Sequence, residues 1–203
     1  ALPYRPTWRT RWRSGLRDVW QRPAQSHATE AQSRFHVCPI SDARLQRFID
    51  PQVRIVTEHS GELDPASLEE YRARDGFSAL ERCLRDEQPE QIIDTIEASG
   101  LRGRGGGGFP TAAKWRRVRE ATDERLLVCN GDEGDPGAFM DRMIMESYPF
   151  RVLEGMTIAA SAVGAHRAYL YVRHEYPLAV RRLRHAITRM TEEGLLGDNI
   201  LGT

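Results

Sequence analysis

Cysteine is scarce in this 203-residue chain: Cys38, Cys83 and Cys129 stand far apart, and no Cys-x-x-Cys occurs. That spacing holds neither a zinc site nor an iron–sulfur ligand set, and an odd, sparse count favours a reducing compartment over a disulfide framework. Long apolar runs are also missing. The longest, residues 156–163, is too short to cross a bilayer, so the chain is read as cytoplasmic, with any membrane attachment peripheral, on the inner face and through partners. Charge of one sign is not in excess, since 29 basic side chains meet 29 acidic ones, and this neutrality argues against a nucleic-acid partner. The six histidines form no ligand-spaced pair, and His174-Glu175 lacks the second histidine of a zincin helix. A calcium loop counted from Asn130 would need glycine at its sixth place and glutamate at its twelfth, where the chain has Asp135 and Asp141.

What is present is unevenly distributed. Residues 1–36 carry 7 arginines against 2 acids, residues 37–100 carry 7 basic and 14 acidic side chains, and residues 101–203 carry 15 and 13. We therefore divide the chain into a basic arm (1–36), an acidic helical lead-in (37–99) and a third part (100–203). In the arm, Trp8, Trp12, Leu16 and Trp20 recur at helical spacing between Pro6 and Pro23, with arginines on other faces. A basic amphipathic helix and a poorly ordered arm both fit this pattern.

Residues 53–57, Val-Arg-Ile-Val-Thr, read as a short alternating strand, and Asp64-Pro65 opens a helix. Further helices are expected over 77–84, from Pro89 to Ser99-Gly100, over 110–121, 138–147 and 149–163, and over 177–193. The acids of the Pro89 helix read as a solvated face. Two apolar runs, 125–129 and 168–172, read as buried parallel strands between helices, which gives an α/β fold with a mainly parallel sheet and flanking helices. The first run ends in Asn130-Gly-Asp-Glu-Gly-Asp-Pro-Gly137, placing Asn130, Asp132 and Glu133 where open α/β sheets bind ligands.

The strongest feature is residues 100–115, Gly-Leu-Arg-Gly-Arg-Gly-Gly-Gly-Gly-Phe-Pro-Thr-Ala-Ala-Lys-Trp. Glycine has no Cβ, so Gly103, Gly105, Gly106, Gly107 and Gly108 let a flat or phosphorylated ligand touch the main chain. Arg102, Arg104 and Lys114 add positive charge, Phe109 adds a stacking surface, and the following helix turns its N-terminus toward the loop. Together they point to an anionic, aromatic ligand. Lysine on an amphipathic helix is more often simply solvated, and Phe109 could equally pack inward.

With Cys129-Asn-Gly-Asp-Glu-Gly-Asp-Pro-Gly-Ala-Phe139, Asp141-Arg142, Leu153-Glu-Gly-Met156 and Tyr171-Val-Arg-His-Glu-Tyr176, this segment resembles the FMN- and NADH-binding flavoprotein subunit of respiratory NADH:quinone oxidoreductase. The diaphorase subunits of hydrogenases and NAD-dependent formate dehydrogenases share the resemblance, which covers roughly residues 53–203. It implies a Rossmann-like FMN-binding domain, in which NADH delivers a hydride to FMN and electrons pass singly to iron–sulfur clusters of partner subunits. By matching positions, Gly103, Arg104, Gly105, Gly106 and Gly108 would border flavin and nucleotide, and Phe109 would stack on the adenine. Lys114 would bond flavin or nicotinamide-side oxygens, Asn130, Asp132 and Glu133 would hold the flavin and its ribityl chain, and Asp135 would contact NADH.

The chain departs from the family pattern at Gly107, where alanine is usual, at Ala112-Ala113, which replace Gly-Leu, and at Arg117, where a second aromatic or apolar residue would flank the adenine. These changes leave NAD against NADP preference open. The family continues past the equivalent of Thr203 into a Glu-rich flavin segment, a ubiquitin-like region and a four-cysteine cluster domain. On that basis residues 1–203 alone are expected to be inactive and to bind FMN weakly or not at all. A non-catalytic truncated or assembly fragment, keeping the fold and partner surface, is the alternative.

Overall fold

The computed structural model describes residues 42–59 and 61–202. The helix expected between Pro6 and Pro23 lies outside them, as does Cys38. The chain divides into two units, Ala1–Ile55 and Val56–Thr203. In the first, helix α1 (Ala43–Ile49) begins where the Asp42 carboxylate accepts the Arg44 N–H at 2.7 Å, and it buries none of its residues. The strand expected over 53–57 does not form; these residues are irregular, bend and turn. A five-residue alternation becomes a strand only against a neighbour, and the ladder found among the described residues joins two later segments.

The second unit runs α2 (Leu68–Ala73), α3 (Ser78–Arg85), α4 (Pro89–Ala98), α5 (Thr111–Glu120), β1 (Leu126–Gly131), α6 (Met140–Ser147), α7 (Pro149–Val163), β2 (Arg167–Val172) and α8 (Pro177–Glu192), then a 3-10 turn at Ile200–Gly202. Local chemistry sets the boundaries. The Ser67 hydroxyl accepts the Glu70 N–H at the start of α2, and Gln88 and Gln91 form a capping box ahead of α4. Prolines occupy the first turns of α4, α7 and α8, and Gly164, at φ 71°, ends α7 in the left-handed region.

Strands β1 and β2 pair in parallel, from Leu126 beside Arg167 to Gly131 beside Val172, with α6 and α7 as the crossover. Helix α7 is central: it packs on α3, α4, α5, α6, α8 and both strands. On the sheet's inner face Leu127, Cys129, Ala168 and Leu170 pack against the core that α7 shares with Leu68, Leu80 and Met190. Among the described residues no layer covers the outer face, which corrects the expectation of strands buried on both sides. Val128 is 58 % exposed and Tyr171 60 %, alongside exposed Leu126 and Tyr169. An apolar run reports that a strand is suited to burial, whereas a second covering layer depends on what else packs there.

One buried carboxylate ties the lead-in helices to this core. Glu154 of α7 is 7 % exposed. Its Oε2 accepts the Tyr71 hydroxyl at 2.6 Å and the Phe77 N–H at 3.1 Å, while Oε1 accepts the Leu80 N–H at 3.2 Å. Phe77, the N-cap of α3, has no side-chain cap of its own, so a residue 77 positions away does the capping. Burial, then the Glu154 carboxylate, pushes the Tyr71 phenol well above its usual pKa. Gly76 leaves room for this junction: a Cβ there would stand 2.4 Å from Tyr71 Cδ1.

Glu154→Gln replaces one acceptor oxygen by a donor facing donors. It should cost about 1–3 kcal/mol of stability, read from the urea midpoint at unchanged m-value. A loss below about 0.5 kcal/mol would contradict the role assigned to this carboxylate.

Candidate functional site

Helices α4 and α5 lie antiparallel, held along their exposed edge by ion pairs. Arg119 meets Glu90 at 2.7 Å, and Arg116 meets Asp94 at 2.6 Å and Glu97 at 2.7 Å. The solvated acids of α4 therefore also select the register of the pair. Each such bond contributes little by itself.

The glycine run is the connection between these two helices, and its base is closed. Arg102 and Pro110 form an isolated antiparallel bridge; the Gly103 N–H donates to the Phe109 carbonyl at 2.9 Å and the Thr111 N–H to Leu101 at 3.0 Å. The Arg102 guanidinium donates to the Gly108 carbonyl at 2.9 Å, so this arginine is spent on the loop itself. Beyond that base the main chain is bare. A Cβ built on Gly105, Gly106, Gly107 or Gly108 meets nothing within 4 Å, and Gly106 and Gly108 have φ of 95° and 59°. Arg104 and Lys114 are exposed and have no acidic partner among the described residues. Lys114 is also the chain's only lysine, beside 28 arginines. Phe109 is 43 % exposed, with the Arg117 guanidinium 5.3 Å above its ring centroid.

The second group lies at the carboxyl end of β1. Asn130 Oδ1 accepts the Asp132 N–H at 2.9 Å, turning the chain out of the strand. Glu133 is committed to structure: its carboxylate accepts the Asp141 N–H at 3.0 Å, the Arg142 N–H at 3.2 Å and the Tyr176 hydroxyl at 3.1 Å, capping α6. Burial draws this carboxyl upward, but the N–H donors of Asp141 and Arg142 and the tyrosine outweigh it, leaving the pKa below the ordinary value. Arg173 donates to the Glu133 carbonyl and pairs with Glu175. Asp132 and Asp135 are exposed, with no hydrogen bond to either carboxylate among the described residues. Gly131 faces Met145, whose Sδ and Cε would stand 2.8 Å from an added Cβ. Burial first, and Asp141 second, raise the Cys129 thiol, which is a protonated core group rather than a nucleophile.

Arg119, late in α5, donates to the Ala162 carbonyl, and Arg125, just before β1, to that of Val163, so the end of α5 sits beside the start of β1. The glycine loop stands at the other end of α5, about 15 Å along the helix. No hydrogen bond or ion pair joins the two groups among the described residues. A bare main chain, unpaired cations and an exposed ring fit a phosphorylated aromatic cofactor such as FMN or NAD(H).

The sequence pattern of the Nuo51 FMN-binding domain matches residues 96–200, just over half of the chain. This chain belongs to that family. Among relatives, the HndC chain of an NADP-reducing hydrogenase from Solidesulfovibrio fructosivorans is 46 % identical over 153 residues, covering 75 % of this chain and 31 % of its own length. A component of the NADH-quinone oxidoreductase of Escherichia coli strain K12 is 43 % identical over 141 residues, covering 68 % and 32 %. A crystal structure of an NAD+-reducing NiFe hydrogenase in the air-oxidized state superposes with a TM-score of 0.54 at 37 % identity, over 70 % of this chain and 23 % of that one. The chain thus spans about a third of the length of these two sequence relatives. Its α/β fold with a parallel sheet is that of the FMN-binding family, and no described helix is long and apolar enough to cross a membrane.

Sequence reasoning left Arg142, Arg173 and Tyr176 without roles in this Nuo51-type corner, although they orient Glu133 and the two guanidiniums lie 5.5 and 5.7 Å from the centroid of the tyrosine ring. Their signal was positional, in the Asp141-Arg142 pair and the Arg-His-Glu-Tyr that follows β2. Because the folded-state pKa of Glu133 is depressed, its stabilisation is complete above the ordinary glutamate value of 4.5 and is lost as pH falls through the folded value. Hydrogen-exchange protection of the Asp141 and Arg142 amides should fall in that acid window, and Glu133→Gln should remove the pH-dependent part. Unchanged pH dependence in that variant would refute the assignment.

Proposed function

We propose that this chain is the cofactor-binding part of an NAD(P)H-oxidising diaphorase module. The observation that carries the reading is the closed-base glycine hairpin, bare on its main chain and flanked by Arg104, Lys114 and Phe109. In this reading Gly103, Arg104, Gly105, Gly106 and Gly108 border the flavin and the nucleotide. Phe109 stacks on the adenine, and Lys114 holds flavin or nicotinamide-side oxygens. Asn130 and Asp132 bind the flavin and its ribityl chain, and Asp135 contacts the nucleotide. Glu133 acts chiefly by fixing the corner, since three donors already occupy its carboxylate.

Bound here, FMN would accept a hydride from NAD(P)H and release electrons singly to iron–sulfur clusters of partner subunits. The chain's own share is placement and charge. Its three separated cysteines offer no cluster ligand set, so the receiving clusters belong outside residues 1–203. An NADH dehydrogenase, a hydrogenase or a formate dehydrogenase complex in the cytoplasm, peripheral to a membrane through its partners, would supply them. The relatives' names, in which both NADH and NADP appear, support this class of activity.

The test is a visible absorption spectrum of the protein purified with its partner subunits, repeated anaerobically with NADH and NADPH. A flavin band that bleaches supports the reading; absence of bound flavin overturns it in favour of a non-catalytic scaffold. Gly105→Val separates binding from folding, because a side chain there meets no protein atom. We expect stability within about 0.5 kcal/mol of the parent and cofactor affinity at least about tenfold weaker. Unaltered affinity would remove the hairpin from the site.

A further inference from the structure

Two arginines of the glycine run, Arg102 and Arg104, are alike in sequence, each followed by glycine and each exposed, yet the fold uses them differently. Arg102 turns back across the hairpin, where its Nη1 donates at 2.9 Å to the carbonyl of Gly108, six residues on. Among the described residues this is the one hydrogen bond that reaches residues 104–108. Packing does not stand in for it, because a Cβ built at any position from Gly105 to Gly108 meets nothing within 4 Å. Gly106 and Gly108, at φ 95° and 59°, hold conformations that a glycine backbone leaves with little steric resistance.

Arg102 is anchored where it can act on the loop. Its own backbone belongs to the closed base, through the bridge to Pro110 and the adjacent Gly103–Phe109 bond, so the guanidinium reaches Gly108 from a fixed point. A hydrogen bond from a charged donor is also stronger than one between neutral backbone groups. A glycine loop without such a tie spreads over many conformations, and the apparent affinity for a ligand falls in proportion to the fraction that is competent to bind. We propose that Arg102 is a positioning residue: by holding Gly108 it keeps the bare hairpin in one binding-ready conformation before a cofactor arrives, while Arg104 is the arginine left to meet the ligand. This rests on the reading that the glycine hairpin binds a phosphorylated cofactor.

Two measurements on the protein with its partner subunits, freed of flavin, test it together: hydrogen exchange of the Gly103 and Thr111 amides, and the association and dissociation rates of FMN. Arg102→Ala should speed exchange of those amides about tenfold and slow FMN association by a similar factor, with dissociation unchanged within about twofold. Arg104→Ala should do the reverse, leaving exchange as it is and speeding dissociation. Loss of positive charge slows association of an anion by itself, so Arg102→Lys, which keeps the charge and loses the planar fork, is the control. It should restore association only as far as it restores amide protection. Unaltered exchange in Arg102→Ala, dissociation that quickens there while association holds, or association restored by Arg102→Lys while the amides still exchange fast would each overturn the proposal and leave FMN binding intact. Failure of the parent protein to bind FMN would overturn it together with the reading beneath it.

Discussion

The buried Glu154 carboxylate is where the two halves of the second unit meet. Helix α3 has no cap in its own sequence, and its first N–H groups would be left unsatisfied if α7 did not supply an acceptor. A charged acceptor among apolar neighbours is costly unless its lone pairs are filled, and here one hydroxyl and two amides fill them. Tyr71, once fixed by this bond, presents its ring edge-on to Phe77 and stacked against Phe150. With α3 and α4 seated on α7, the α4–α5 pair has a fixed platform, and the glycine connection between those helices inherits a defined position.

Position and recognition are thus separated in this fold. The elements that carry the site are braced by groups already engaged within the fold: Glu133 inside its corner, Arg102 inside the hairpin, Arg116 and Arg119 along α4. The groups left over are Arg104, Lys114, Arg117, the Phe109 ring and the bare glycines. Such a surplus of donors and positive charge beside a bare main chain matches what an anionic cofactor needs and what a purely structural loop does not.

Much of this was legible in the residues. Prolines at helix starts and Gly164 at a helix end bounded α4, α7 and α8 closely, because these residues act through local backbone sterics. The loop and the 130–135 corner were found because glycine runs and polar clusters after an apolar strand are local signals as well. Where the outcome depended on distant partners, the sequence was silent or misleading. Residues 53–57 alternate like a strand but pair with none among the described residues, and 125–129 are apolar enough for a buried strand yet leave Leu126 and Val128 open. The occupation of Glu133 by α6 and Tyr176, and the reach of Glu154 to α3, involve separations that periodicity does not encode. One composition signal was available: a single lysine among 29 basic residues stands six positions after the glycine run.

That lysine offers the most direct measurement of the central claim, that this surface is a cofactor site. Acylation of Lys114 by an amine-reactive ester can be followed by mass spectrometry of the peptide that carries it, with and without FMN and NADPH. If the hairpin binds these cofactors, their addition should slow acylation of Lys114 in a saturable manner, and Gly105→Val should abolish the protection. Equal labelling rates at saturating FMN and NADPH would place cofactor binding elsewhere and contradict the account.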